Sequence, residues 1–150
     1  MDLNRLRDPA AWKPYIKDKD EQYCNYASQG WIKCLDNDPT KLWLLGISLI
    51  ALPPEIWSLE NLEELDIGEN EIEEIPADII QLTKLKWLRC SNNKLKDLPR
   101  ELLGLENLEA VYRLGNCFED EGLQTIESSC NSLPYLKERA SRRIKFAGKR

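Results

Sequence analysis

The aliphatic positions of this chain return every 23 residues, while the polar positions between them change freely. Leu62, Leu65, Ile67, Asn70, Ile72, Ile75, Pro76, Ile79 and Leu82 make one unit. Leu85, Leu88, Cys90, Asn93, Leu95, Leu98, Pro99, Leu102 and Leu105 make the next, and Leu108, Val111, Arg113, Asn116 and Phe118 begin another. Going backward, Leu42, Leu44, Leu49, Leu52, Pro53, Ile56 and Leu59 fit the preceding unit, with Ile47 in the asparagine's place. Such a period predicts a solenoid whose units are a short strand, a turn and an irregular or short helical return. One unit cannot bury its own apolar face; stacked units share a continuous core. Alternation along the strand turns Leu65 and Ile67 inward and Glu64, Asp66 and Gly68 outward. The amides of Asn70, Asn93 and Asn116 are placed to bond loop backbone of the neighbouring coil, where no sheet partner reaches. Pro53, Pro76 and Pro99 fix φ as each return begins and can open a short helix.

The pattern breaks at both ends. In DKDEQYCNYASQGWIKCLD (18–36), Tyr23, Cys24, Ala27, Trp31, Cys34 and Leu35 share one helical face. This predicts an amphipathic helix, N-capped by Asp18 or Asp20, that covers the first coil. Arg113 stands where an inward aliphatic belongs, which suits a last strand whose side chain reaches the open end to meet Glu119 or Asp120. Residues 120–130 read as a closing helix, and 134–147 as another begun by Pro134. The organisation expected is an N-terminal segment and capping helix over 1–41, repeats over 42–118, and a C-terminal helical cap with a basic tail over 119–150.

The L-x-x-L-x-L-x-x-N run and the following L/I-P-x-x-L/I-x-x-L resemble the intracellular leucine-rich repeat family, in its 23-residue LPxxLxxL subclass. The resemblance covers residues 42 to about 118. It implies an α/β fold, a right-handed solenoid of about four coils with a parallel concave sheet and helical caps. It also implies a non-enzymatic scaffold or adaptor that binds a protein partner on that face. A substrate receptor of an elongin–cullin ubiquitin ligase, and a regulatory subunit or pathogen effector that binds a host enzyme, are alternatives on the same fold.

The outward strand positions stack into columns. The central one reads Trp43, Asp66, Arg89, Tyr112; the one before it Lys41, Glu64, Trp87, Ala110; the one after it Leu45, Gly68, Ser91, Leu114. Folding has no use for tryptophan on a solvated sheet, whereas binding hot spots favour aromatics and arginine. The candidate partner-binding residues are therefore Lys41, Trp43, Glu64, Asp66, Trp87, Arg89 and Tyr112. Asp66 and Arg89 stand next to each other for a cross-strand pair. A competing reading has the protein's own N-terminal aromatics, Trp12 and Tyr15, cover the sheet tryptophans. A second column on the returns, Trp57, Ile80 and Leu103, is read as packing between coils.

The tail has three readings. It can be a cap whose charge suits the rest of the chain. It can be a basic signal for nuclear import or anionic surfaces. Finally, Leu136, Ala140 and Ile144 resemble the L-x-x-x-[CA]-x-x-x-Φ pattern of elongin-binding boxes, which implies a helix laid in a partner's apolar groove.

Charge sharpens the division. Residues 1–136 carry 14 Lys/Arg against 25 Asp/Glu, and residues 137–150 carry 7 against 1. An acidic body repels phosphate, so no nucleic-acid partner is expected for it. The chain has no His, which removes His-based triads, general bases and metal ligands. No phosphate-cradling glycine motif occurs, and the acid pairs Glu63/Glu64 and Glu73/Glu74 read as solvated charges. No catalytic residue, metal or cofactor is expected. Five cysteines without paired spacing fit a reducing compartment, and whether Cys117 and Cys130 pair is left open. With no apolar leader at the start and no run long enough to span a bilayer, a cytoplasmic monomer is expected.

Overall fold

The computed structural model describes residues 1–118 and the backbone of 131–132. Four three-residue strands, β1 (Lys41–Trp43), β2 (Glu64–Asp66), β3 (Trp87–Arg89) and β4 (Ala110–Tyr112), form a parallel ladder in sequence order. The register is a shift of 23 throughout: Leu42 faces Leu65, Leu65 faces Leu88, and Leu88 faces Val111. The central residue of every strand is therefore an aliphatic pointing into the same interior, and all four are fully buried. Stacking turns four small apolar patches into one core, which continues through Leu44, Ile67 and Cys90 behind the strands.

Each return is a single 3-10 turn, at Pro54–Ser58, Ala77–Gln81 and Arg100–Gly104, with Pro53, Pro76 and Pro99 as the N-terminal flanking residues. Those prolines hold extended backbone (φ −60°, −72° and −64°) and lack an N–H that the turn has no acceptor for. Ile56, Ile79 and Leu102 plug the core from this side. The column after them is mixed rather than uniform packing. Trp57 is buried and Leu103 half-buried, but Ile80 is exposed and lies over Gly104, where an added Cβ would meet its Cδ1 at 2.8 Å.

The asparagines form the expected ladder. Asn70 Oδ1 accepts from the N–H groups of Ile47 and Leu49, both at 3.0 Å, and its Nδ2 donates to the carbonyls of Leu44, Ile67 and Gly68. Asn93 repeats this one coil on with Ile72, Ile67 and Cys90, and Asn116 with Leu95, Cys90 and Arg113. Just before each rung the chain passes through the left-handed region, at Gly46, Glu69, Asn92 and Gly115, again 23 residues apart.

Ahead of the first strand, α1 (Glu21–Asp36) is N-capped by Asp20, whose carboxylate accepts from the N–H groups of Gln22 and Tyr23. Cys24, Ala27, Ser28, Trp31 and Cys34 are its buried face. Residues 1–20, which give little periodic signal, wrap this helix. Trp12 Nε1 donates to the Leu6 carbonyl and Trp31 Nε1 to that of Leu3, each at 2.8 Å, and the two rings meet edge to face. Thus Trp12 belongs to the interior and is not spent on covering the sheet. The segment then reaches the first coil. Lys17 N–H donates to the Ser48 carbonyl and Ile50 N–H to that of Tyr15, an antiparallel bridge at Ile16 and Leu49. At the other edge β5 (Asn131–Ser132) pairs antiparallel with Val111 and Ala110 of β4.

Candidate functional site

The outward face of the sheet brings together residues from the N-terminal helix and all four parallel strands. Lys41, Glu64, Trp87 and Ala110 align in one row, and Trp43, Asp66, Arg89 and Tyr112 in the next. Because parallel strands lie about 4.8 Å apart, each row is a close series of side chains across the strands.

Those side chains are joined laterally. Lys33 of α1 and Lys41 hold their ammonium groups 5.4 and 6.0 Å from the centre of the Trp43 ring. Trp43 Nε1 donates to Glu64 Oε1 at 3.3 Å, and Arg89 Nε meets the same oxygen at 3.2 Å. The Arg89 guanidinium then sits 5.0 Å from the centre of the Tyr112 ring. The cross-strand partner of Arg89 is thus Glu64, in the neighbouring row, not Asp66. Asp66 turns its carboxylate back to accept from the Gly68 N–H at 3.0 Å. Burial pushes the Asp66 carboxyl above the ordinary aspartate value, against the pull of that N–H and of Arg89.

Exposure divides the predicted residues. Trp43 is 49% exposed, and the side chains of Lys41 and Arg89 remain open. Trp87 and Tyr112 are half-buried. Glu64 is covered, its side chain 12% exposed against 44% for Arg89, because Trp43 and Arg89 converge on it. Its role within the row is to tie its neighbours together.

Sequence reasoning missed one contributor from α1, Lys33, whose ammonium lies over the Trp43 ring. Gly30 abuts β1, since an added Cβ would lie 2.9 Å from the Trp43 carbonyl oxygen. Tyr26 and Lys33 flank Gly30 at helical spacing, on the side of α1 that borders the sheet. The spacing was visible in the sequence; which strand it would border was not. Leu45, outward by alternation but not among the candidate residues, is 51% exposed and lies over Gly68.

Burial pushes the Cys34 and Cys90 thiols up to about 11 and about 12, so both stay protonated. No group of His, Cys, Asp or Glu among the described residues could hold a metal ion. A shallow depression lined by Ile50, Leu52, Glu71, Glu74 and Pro76 has two lysines at its rim, Lys17 and Lys94. Both are already engaged by Glu71, at 2.9 and 2.8 Å. Arg113 is buried with its guanidinium 5.2 Å from the Phe118 ring centre. Its expected partners Glu119 and Asp120, the helices at 120–130 and 134–147, Cys130 and the elongin-type residues Leu136, Ala140 and Ile144 lie outside the described residues. No described helix is long and apolar enough to cross a membrane.

Comparison with known proteins decides the family. A family profile described as a leucine-rich repeat region matches residues 40–137. The chain is a leucine-rich repeat protein. A solved leucine-rich repeat protein of Leptospira interrogans is similar to it with a TM-score of 0.56 and 33% identity, over 70% of this chain and 26% of that one. An internalin of Listeria monocytogenes shares 32% identity over 54% of this chain and 23% of its own, with a TM-score of 0.48. The chain therefore spans about a quarter of the length of each of these structures. No curated protein sequence matches it. Membership in the leucine-rich repeat family supports a protein-interaction scaffold as the general class of function.

Proposed function

We propose that this leucine-rich repeat protein is a non-enzymatic adaptor that binds a protein partner through the outward face of its sheet. The observation that carries the reading is the lateral chain Lys33–Trp43–Glu64–Arg89–Tyr112, which joins the helix to all four parallel strands. The core is complete without it: the inward positions of the same strands are already filled by leucine and valine. A half-exposed tryptophan fixed by polar neighbours gives large contact area with little entropy left to lose on binding.

The test is a comparison of variants in affinity capture from the native host. A partner held by the wild type and lost by the double variant Trp43→Ala with Arg89→Ala, while that variant keeps the wild-type melting temperature, supports the adaptor. Retention of every captured protein by the double variant rejects this face as the binding surface.

A further inference from the structure

The sheet face exposes cations on an acidic body. Residues 1–136 hold 25 Asp/Glu against 14 Lys/Arg, yet in the two rows of this face the cations are turned out while Glu64 and Asp66 are turned in. Glu64 is covered and engaged by Trp43 and Arg89, and Asp66 is half-buried on the Gly68 N–H. Lys33, Lys41 and Arg89 stay exposed. Among the described residues Lys33 has no ion pair, and the ion pair of Lys41 is a long one to Asp38, at 3.7 Å.

Apolar surface collects at the same corner. Tyr26, Trp43 and Leu45 are large exposed hydrophobic side chains among the described residues; Trp43 and Leu45 lie on and just beyond β1, and Tyr26 stands one turn before Gly30, the residue of α1 that abuts β1. The corner is polar along the strand direction. Lys41 and Lys33 gather near the strand starts and around Trp43, while Leu45 lies toward the strand ends, where Glu69 closes the surface near Gly46.

From this the geometry points to a specific occupant: an acidic peptide segment with a large apolar anchor, seated at the corner between α1 and β1. The anchor packs on Trp43, Leu45 and Tyr26. Asp or Glu beside it meets Lys33 and Lys41, and a further acid along the segment meets Arg89. From α1 to β4 is roughly 25 Å, which an extended segment of about eight residues crosses. A long polyanion without apolar groups fits less well, since beyond these three cations it would lie against an acidic body. The inference rests on the adaptor reading and names its partner's chemistry.

The experiment pans a phage library of roughly twelve-residue peptides against the full chain. Enriched peptides are then measured by fluorescence anisotropy at low and high salt. The expected winners combine an aromatic or long aliphatic residue with Asp or Glu. They should lose at least about tenfold in affinity with Lys33→Glu, with Lys41→Glu and with Trp43→Ala, weaken with salt, and recover with Lys33→Arg. Winners that are neutral or basic, yet still need Trp43, overturn the acidic partner and leave the adaptor standing. Winners indifferent to both Trp43→Ala and Arg89→Ala overturn both. Failure to enrich any peptide, or equal binding of polyglutamate or a single-stranded oligonucleotide, overturns the anchored acidic segment. Because all the substituted side chains are exposed, unchanged melting temperatures should accompany each variant.

Discussion

Asn70 satisfies five backbone groups with one amide, and that concentration sets the cost of losing it. Asn70→Ala strands the Ile47 and Leu49 N–H groups inside the molecule. Each buried orphan costs about 1–3 kcal/mol, so the variant should lose about 3 kcal/mol in urea unfolding. A loss under about 1 kcal/mol would mean that water replaces the amide. The neighbouring residue gives a prediction of opposite sign. Glu69 holds φ +54°, a conformation that costs a side-chain-bearing residue roughly 1–2 kcal/mol. Glu69→Gly relieves this, while the freer unfolded chain returns part of the gain. The net expectation is stabilisation of up to about 1 kcal/mol, read as a rise in melting temperature. The next coil but one already uses this solution. Gly115 has φ +73°, and there a Cβ would also strike Asn92 Oδ1 at 2.1 Å.

Among the elements, the N-terminal wrap is held to the first return by a buried charge. Glu55 is covered, and Arg5 Nε reaches its Oε1 at 2.5 Å. Burial alone pushes the Glu55 carboxyl up, but the Arg5 hydrogen bond, a backbone N–H and the nearby positive charges together hold it below the usual glutamate value. A carboxylate depressed by folding adds stability above its unfolded value, near about 4.3, and loses it as the pH falls through the folded one. Arg5→Ala leaves burial as the dominant influence. It should cost about 1–2 kcal/mol at pH 7, toward the low end because Arg5 keeps one side to solvent. The gap between variant and wild type should shrink as the pH is lowered through about 4. A gap that does not change with pH in urea melts would show that the arginine acts through packing alone.

This scale also separates what the sequence made legible from what it hid. The strand register and the asparagine rungs follow from residue types recurring at fixed offsets, so they could be read directly, while the helix cap was narrowed only to Asp18 or Asp20. The Ile16–Leu49 bridge, the Lys33–Trp43 contact and the β5 pairing join segments whose spacing follows no period, and nothing local announces them. Arg89 shows the same limit at the candidate site. Its row was correct, but a long side chain can reach a neighbour's row, and it took Glu64 over Asp66. The left-handed turn escaped notice because glycine, glutamate and asparagine share no pattern even at one recurring position.

For the molecule as a whole, the proposed function puts recognition on the face of the strands opposite the core, and neighbours in sequence should separate the two. Leu88 is fully buried at the centre of β3, so Leu88→Ala should cost about 2–5 kcal/mol through the cavity it leaves. Trp87 is half-buried on the outward face, so Trp87→Ala should leave melting nearly unchanged while weakening partner binding by about 2 kcal/mol or more. Equal destabilisation by the two would place Trp87 in the core. Because each coil rests on its neighbours, the Leu88 cavity should lower the whole transition rather than detach one unit.

Both margins of the parallel ladder are already occupied, by α1 against β1 and by antiparallel β5 along β4. Proteins that capture extended ligands often do so by strand addition, lending unpaired main-chain groups to the newcomer, a mode that is tolerant of the newcomer's sequence. For the four parallel strands that route is closed, at β1 by α1 and at β4 by β5. On the proposed reading, a ligand lying across their outward face meets side chains rather than free main chain, so discrimination should follow ligand composition rather than readiness to extend a sheet.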